Sequence, residues 1–168
     1  MKLYSKKISL YLFFVLLTLR GFSQGYSSIH FDESKGFKAN IVYGMAQDSR
    51  GFLWIGTNSG LVRYDGNEFK WFTKEKNGLE DNQIKNIIED DEGWLWIFNL
   101  ESRRFFPKVF MLNFVHSETY EVLTFEEKFK TPPFTIDDIR SFLMLDNRTL
   151  LFHLNNGENY QYNSKKGF

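Results

Sequence analysis

The chain has 168 residues, with 21 basic and 21 acidic side chains and no cysteine. The lack of cysteine excludes disulfides and thiolate metal sites, and the balanced charge gives no basic surface for nucleic acid. Aromatic residues make up 18% of the chain, which favours strands over helices because such side chains suit a pleated, half-buried surface.

The first 24 residues have the three-part layout of a secretory signal peptide. A basic start without acids precedes the apolar run Ile8–Leu19, and small residues follow it. This run is shorter than the roughly 20 residues that a spanning helix needs. A retained N-terminal anchor is the alternative, because Arg20 is awkward for cleavage. We expect cleavage near Gln24, which leaves an exported, periplasmic or extracellular chain with 17 basic and 21 acidic residues and no membrane contact.

One short pattern occurs three times. The stretch from Asp48 to Ile55 recurs 42 residues later as the stretch from Asp90 to Ile97, and a weaker copy begins 56 residues further on. In the third copy, Thr149 replaces the glycine and a phenylalanine replaces the tryptophan. The resulting repeat signature consists of Asp48, Gly51, Trp54, Asp90, Gly93, Trp96, Asp146 and Phe152.

Turn residues divide each unit into four short strands, as at Asp65-Gly66-Asn67. Four strands in about 42 residues is the period of a β-propeller blade. The sequence therefore predicts an all-β fold, a partial β-propeller of about three four-stranded antiparallel blades, preceded by a signal-peptide helix at 1–24. The predicted propeller spans 25–168, with blades at 38–73, 80–126 and 134–168 and an extra strand near 28–32.

The signature residues have structural roles in this interpretation. Trp54 and Trp96 become wedges between stacked blades, each burying roughly 150–250 Å², on the order of 4–6 kcal/mol as an upper bound. The aspartates accept N–H groups of their own turns, and the glycines take positive φ angles. We expect no catalytic, cofactor-binding or metal-binding residue. The histidines are expected to be ordinary strand or loop residues: His30, His116 and His153.

Residues 52–66, with Asn40-Ile41-Val42 upstream and Gly78-Leu79-x-x-Asn82-Gln83-Ile84 downstream, resemble the two-component regulator propeller repeat. Such repeats build the exported sensor region of bacterial hybrid histidine kinases. The resemblance covers 26–97 well and weakens beyond 125. The second unit departs from the pattern after Ile97, where Phe98–Ser102 and the charged pair Arg103-Arg104 follow. The resemblance implies a ligand-binding segment of a two-component sensor, without the kinase, whose cue is often a carbohydrate breakdown product.

Three blades do not close a ring, because propellers have about four to eight. The chain is then either a fragment that remaining blades complete, or half of a six-bladed ring made by a second copy. Two other functions stay open, a protein-interaction propeller and a secreted enzyme acting on polysaccharide. Candidate acids for the enzyme are Asp90, Asp91, Glu92, Asp137 and Asp138. Candidate ligand residues in loops are Asn58, Arg103 and Arg104.

Overall fold

The computed structural model describes residues 28–103, 106–146 and 148–168, and for 100–110 it describes no side chains. The predicted signal peptide at 1–24 lies outside the described residues. The chain divides into two compact units, Met1–His30 and Phe31–Phe168, and the sheets all belong to the second. Among the described residues, no helix is long and apolar enough to cross a membrane.

In the described part of the chain, eleven strands form three antiparallel sheets, which we call sheet 1 (β1–β4), sheet 2 (β5–β8) and sheet 3 (β9–β11). Short helices stand in the links between the sheets. In chain order the elements are β1 (Val42–Gln47), β2 (Leu53–Thr57), β3 (Leu61–Tyr64), β4 (Phe69–Phe72), α1 (Lys74–Asn77), β5 (Asn86–Glu89), β6 (Trp94–Arg103), β7 (Phe106–His116), β8 (Val122–Leu123), α2 (Phe125–Lys128), β9 (Ile139–Asp146), β10 (Thr149–Leu154) and β11 (Asn159–Asn163). Two 3-10 helices cover Glu33–Lys35 and Ile136–Asp138.

The all-β, partial-propeller fold class is confirmed, with two corrections. Sheet 3 has three strands, because the chain turns after Asn163 and returns only as a single bridge to Gly167. Residues 28–32 form no strand. Asp32 instead caps the 3-10 helix that follows, its carboxylate accepting the Ser34 N–H at 3.0 Å. The segment contributes the Phe31 ring, which packs edge-on against Tyr64 and Phe69.

The sheets stack face to face and enclose two apolar clusters. The first lies between sheets 1 and 2 and includes Trp54, Leu61, Phe72, Leu95, Ile97, Met111 and Val115. The second lies between sheets 2 and 3 and includes Trp96, Phe98, Leu112, Phe114, Leu150, Phe152 and Leu154. Sheet 2 is therefore covered on both faces, which explains why β6 is apolar at successive positions instead of alternating with polar residues.

Sheet 3 meets its neighbour through the opposite face from the one its repeat signature predicts. Trp54 and Trp96 point forward along the chain, each onto the next sheet. Phe152 points backward and packs against Trp96, with ring centroids 6.3 Å apart. The ladder of sheet 3 pairs Phe152 with Phe142 and has a bulge between Thr149 and Leu150, whereas in sheet 1 Trp54 pairs with Ala46. Because successive side chains of a strand alternate between its faces, Leu151 holds the forward position.

The strand order gives the stack two different ends. The first strand of each sheet begins at a link. The first hairpin turn of each sheet, and the third one in sheets 1 and 2, lie at the opposite end of the sheet from that link. We call the end with the β1–β2 and β3–β4 turns and their counterparts the turn end. The other end, with the links between sheets and the middle hairpin turns, is the linker end.

Two glycines let the linker end close tightly. A Cβ atom on Gly56 would lie 2.6 Å from the backbone oxygen of Ile84, and one on Gly44 would lie 2.7 Å from that of Lys85. The link into sheet 2 uses this space, and the Ile84 N–H donates to the carbonyl of Thr57 at 2.8 Å. Because the obstructing atoms are backbone, relief would require moving one sheet relative to the other.

We predict that Gly56→Ala lowers the free energy of unfolding by about 1–3 kcal/mol, the usual cost of overpacking a close contact. Urea unfolding followed by tryptophan fluorescence measures the change. Gly66→Asn is the control, since Gly66 has φ +99° with nothing near its Cβ position, and asparagine tolerates that conformation. Equal stability of Gly56→Ala and wild type would contradict this packing of the link on sheet 1.

Candidate functional site

The first signature copy forms a closed hydrogen-bonded unit around a buried carboxylate. Asp48 Oδ1 accepts the N–H groups of Arg50 at 3.0 Å and Phe52 at 2.8 Å. Asp48 Oδ2 accepts the indole Nε1–H of Trp54 at 2.9 Å. Gly51, at φ +90°, closes the turn. The aspartate thus fixes both its own turn and the orientation of the tryptophan that wedges against sheet 2.

The second copy repeats this geometry. Asp90 Oδ1 accepts the N–H groups of Glu92 at 3.0 Å and Trp94 at 2.9 Å, and Oδ2 accepts the indole N–H of Trp96 at 2.8 Å. Gly93 has φ +80°. We call this arrangement the carboxylate–indole clamp. The aspartate and the tryptophan are six residues apart because the turn between them reverses the chain. The tryptophan on the second strand then lies next to the aspartate that precedes the turn.

The third copy has no such clamp. Asp146 is exposed and its Oδ1 accepts the N–H of Arg148 at 2.8 Å. That backbone hydrogen bond is the main cause that lowers the pKa of Asp146 below its ordinary value. Phe152 carries no N–H group to donate and faces backward into the second cluster. The spacing from Asp146 to Phe152 therefore does not reproduce the geometry of the first two copies.

Polar ties between neighbouring sheets surround the clamps at the turn end. Ser49 donates its N–H and hydroxyl to the Glu89 carboxylate, at 2.7 and 3.1 Å. Arg50 donates to the backbone oxygen of Ser117. The next pair of sheets is tied at Asp91, which accepts from Arg148 Nε at 2.6 Å and from Ser164 Oγ at 2.9 Å. The turn end is thus occupied by contacts that hold the stack.

Four of the five acids considered for catalysis are engaged in structural contacts. Asp90 belongs to a clamp, Asp91 ties sheet 3, and the Glu92 carboxylate lies 3.8 Å from Lys128 Nζ. Asp138 Oδ2 accepts the N–H and hydroxyl of Thr135, both at 2.8 Å. Within the described ranges, no group of three histidine or acidic side chains could hold a metal ion.

A cation covers the aromatic residue that stands four positions after each clamping aspartate. The Arg63 guanidinium lies 3.7 Å from the centroid of Phe52, and Lys128 Nζ lies 4.1 Å from that of Trp94. Burial lowers the pKa of Lys128, against the opposing attraction of Asp90 and Glu92. The two sites differ in origin, since Arg63 comes from β3 and Lys128 from α2, so sequence alignment of the repeats does not reveal the shared position.

The turn after β7 joins sheets 1 and 2. His116 Nδ1 accepts the N–H groups of Glu118 and Thr119, at 3.3 and 3.2 Å. Tyr120, the non-glycine residue with positive φ (+62°) among those described, lies under Lys70 Nζ at 3.5 Å from its ring. His116 is thus the last residue of β7, and its ring holds the turn that follows. His153 sits in β10 with Nδ1 2.9 Å from Asn159 Oδ1. His30 lies in an exposed stretch without regular structure.

Two buried asparagines, which the sequence analysis missed, hold the links at the linker end. Asn99 Oδ1 accepts the N–H of Lys85 at 2.9 Å, and its amide donates to the Gln83 carbonyl. Asn113 Oδ1 accepts the N–H of Glu80 at 2.9 Å. Each could have been recognised in the sequence as a single polar residue inside an otherwise apolar strand. A buried amide at such a position needs hydrogen-bond partners, which the backbone can supply.

An open depression of about 620 Å³ lies at the linker end, beside the link from α2 to β9. Its lining combines apolar side chains with charged and hydroxyl groups, among them Glu126, Lys130, Thr131, Pro132 and Asp138. A second depression, of about 390 Å³, lies on the other side of the same link, next to Tyr162 and Phe168. The link between sheets 2 and 3 therefore has concave surface on both of its sides.

Two of the three candidate ligand residues, Asn58 and Arg103, belong to hairpins that turn at this same end, and they differ in availability. Asn58 Oδ1 accepts the Ile41 N–H at 3.2 Å, so its side chain already has a structural partner. Arg103 ends β6 in a hairpin much longer than its counterpart in sheet 1, and its side chain lies outside the description. Arg104 lies outside the described residues altogether. After Ile97, where the second unit departs from the repeat, the pairing of β6 with β7 continues to Arg103 and Phe106.

The sheets stack face to face and are joined by short links. This arrangement defines a segment of a β-propeller. Residues 36–59 match the model of the two component regulator propeller family. The chain therefore carries a two-component regulator propeller repeat, and the resemblance seen in the sequence is confirmed.

A solved structure shares this fold. The extracellular domain of BT3049, described as a hybrid two component system from B. thetaiotaomicron, matches with a TM-score of 0.53 and 19% identity. The match covers 82% of this chain and 20% of that one, so the chain spans about a fifth of the domain it resembles. The extracellular domain of BT4673 from the same organism gives a TM-score of 0.35 at 19% identity, covering 79% of this chain and 21% of that one. No curated protein matches this chain.

We predict that Asp48→Asn and Asp90→Asn each lower the free energy of unfolding by about 1.5–3 kcal/mol, the range for hydrogen bonds to charged groups. In either variant, an amide NH2 group replaces one carboxylate oxygen. That group cannot accept a hydrogen bond, so a buried N–H donor of the clamp loses its acceptor. Asp146→Asn is the matched control and should change stability little, because Asp146 is exposed and accepts no indole. Urea unfolding of the three variants makes the comparison, and a uniform effect across them would contradict the clamp.

A second prediction concerns Lys128 and pH. A lysine whose pKa is lowered in the folded state binds its proton less tightly there than in the unfolded chain, so folding becomes more favourable as pH rises toward the ordinary value of 10.5. The stability of wild type relative to Lys128→Met should therefore increase as the pH rises toward 10.5. Urea unfolding at increasing pH measures it. A decrease as the pH rises would show that Lys128 is net stabilised as a cation.

Proposed function

We propose that this chain is an extracytoplasmic recognition segment of a two-component sensor, and that it binds its ligand at the linker end. The observation that carries the proposal is the stack of propeller sheets held by repeated carboxylate–indole clamps. The repeat match at 36–59 and the fold shared with the extracellular domain of BT3049 support an exported sensor region. We also propose that this segment belongs to a larger sensor protein, which transmits the signal.

The two ends of the stack favour different roles. At the turn end, the carboxylates of Asp48, Asp90 and Asp91 are consumed by hydrogen bonds that hold turns and neighbouring sheets. At the linker end, Glu126 and Thr131 are exposed on the wall of the 620 Å³ depression. Ligand sites are typically concave, of about 300–1,000 Å³, and lined by apolar surface with a few polar groups. The linker end fits that description.

The lining suits a neutral, hydroxyl-rich ligand, and we propose a small carbohydrate. The Glu126 carboxylate can accept hydrogen bonds from sugar hydroxyls, and Thr131 can donate or accept. Pro132 and the Phe129 ring offer apolar surface for the C–H face of a sugar ring. The role proposed is binding without turnover, since four of the five acids considered for catalysis are held in structural contacts.

The experiment is calorimetric titration of the purified chain with a panel of neutral and uronic oligosaccharides. If one binds, Glu126→Gln and Thr131→Val should each weaken it by about tenfold or more, the effect of losing one hydrogen bond of about 1.4 kcal/mol. Glu68→Gln at the turn end is the matched control and should bind as wild type does. Weakening by the control alone, or no binding by a folded chain, would contradict a sugar site at the linker end.

A further inference from the structure

Two asparagines of the described chain stand directly before a glycine, Asn77 and Asn156. Asparagine is thermally labile, and a following glycine has no side chain to obstruct attack of its nitrogen on the asparagine amide. Gly78 and Gly157 have φ angles of +80° and +89°, with nothing within 4 Å of either Cβ position. Each glycine N–H donates to a backbone carbonyl, at 3.2 and 3.1 Å. The two attacking nitrogens therefore have matched surroundings.

The two asparagine side chains are held in opposite directions along the chain. Asn156 Oδ1 accepts the N–H of Glu158 at 2.9 Å, and this Asx turn folds the side chain forward over the Gly157 peptide. Asn77 Oδ1 instead accepts the N–H of Thr73 at 3.0 Å, four residues earlier. Because a bond forms fastest between atoms already held close together, the forward arrangement favours attack and the backward one opposes it. The pairs are alike in sequence, so this difference comes from the fold.

A third pair shows why the forward turn needs a neutral amide. Asp65 precedes Gly66, and its Oδ1 accepts the N–H groups of Asn67 at 3.0 Å and Glu68 at 2.8 Å. The bond from Glu68, followed by that from Asn67, lowers the pKa of Asp65 below its ordinary value. The carboxylate is therefore ionised at neutral pH, and an ionised carboxylate is a poor electrophile. Among the glycine-preceding acids and amides that the structure describes, Asn156 alone combines the forward turn with a neutral amide.

We infer that Asn156 is a site of spontaneous covalent modification, at which the folded chain deamidates faster than at Asn77. The Gly157 nitrogen gives its proton to water and forms a bond to the side-chain carbonyl carbon of Asn156. The bond from that carbon to the amide nitrogen then breaks, and ammonia leaves after taking a proton from solvent. Water opens the resulting cyclic imide at either carbonyl, so the products are aspartate and isoaspartate at position 156. The reaction consumes only water.

The modification changes the turn between β10 and β11 at the linker end. The Asn156 amide donates to Glu158 Oε2 at 3.0 Å, and the product places a second carboxylate beside that oxygen. Isoaspartate also adds a carbon to the main chain of the turn. Asn155 ties this turn to the link that lines the 620 Å³ depression, since its N–H and its amide donate to the carbonyls of Asp138 and Asp137, both at 2.9 Å. Deamidation therefore adds negative charge next to that link, independently of any ligand.

The test is peptide mapping by mass spectrometry of the purified full chain during incubation in mildly alkaline buffer. In the folded chain, we expect Asn156 to deamidate at least about tenfold faster than Asn77, since a misplacement of about 1 Å can cost a reacting pair about a hundredfold in rate. In urea, where the fold is lost, the two rates should converge. Tryptophan fluorescence shows that the chain is folded in the first series and unfolded in the second.

Asn156→Gln is the control variant, because its longer side chain would have to close a larger ring. It should abolish the fast reaction and the acidic species seen on ion exchange, while Asn77 reacts as in wild type. Equal rates at the two asparagines of the folded chain, a faster reaction at Asn77, or a ratio that urea leaves unchanged would each overturn the inference.

Discussion

The carboxylate–indole hydrogen bond, from Trp54 to Asp48 and from Trp96 to Asp90, is the interaction on which the rest of the structure depends. A tryptophan between sheets contributes a large apolar area, but its buried N–H needs an acceptor. A buried carboxylate in turn needs several donors. The six-residue spacing meets both needs, because the aspartate collects two N–H groups from its turn and a third from the indole. The wedge is thereby oriented by the same turn that defines the hairpin.

From this constraint follows the division of the stack into two ends. Clamps and ties at Glu89, Ser117 and Asp91 occupy the turn end. At the linker end, buried amides at Asn99 and Asn113 hold the links, and the longer link between sheets 2 and 3 leaves concave surface beside it. A scaffold that secures its sheets at one end leaves the loops at the other free to vary, which is where binding residues are usually found.

Much of the fold could be predicted because its main signals are local. The 42-residue recurrence of the signature and the turn residues between strands point to the blades and to the wedge positions of Trp54 and Trp96. The orientation of Phe152 could not be predicted from spacing, because the six-residue separation from Asp146 is kept while the bulged ladder of sheet 3 pairs Phe152 with Phe142 on the face toward Trp96. The cations over Phe52 and Trp94 come from different elements and depend on tertiary contact. The long β6–β7 hairpin likewise depends on strand pairing beyond Ile97, where the sequence departs from the repeat.

Hydrogen exchange of the four indole N–H groups tests the clamps most directly, because the chain has four tryptophans in different environments. In NMR spectra of the folded chain, the indole N–H of Trp54 and Trp96 should exchange only through global unfolding, with protection equal to that of the most protected amides. Trp94, which is partly exposed, should exchange much faster. If Trp54 and Trp96 exchange as fast as Trp94, the carboxylate–indole clamp does not hold these sheets together.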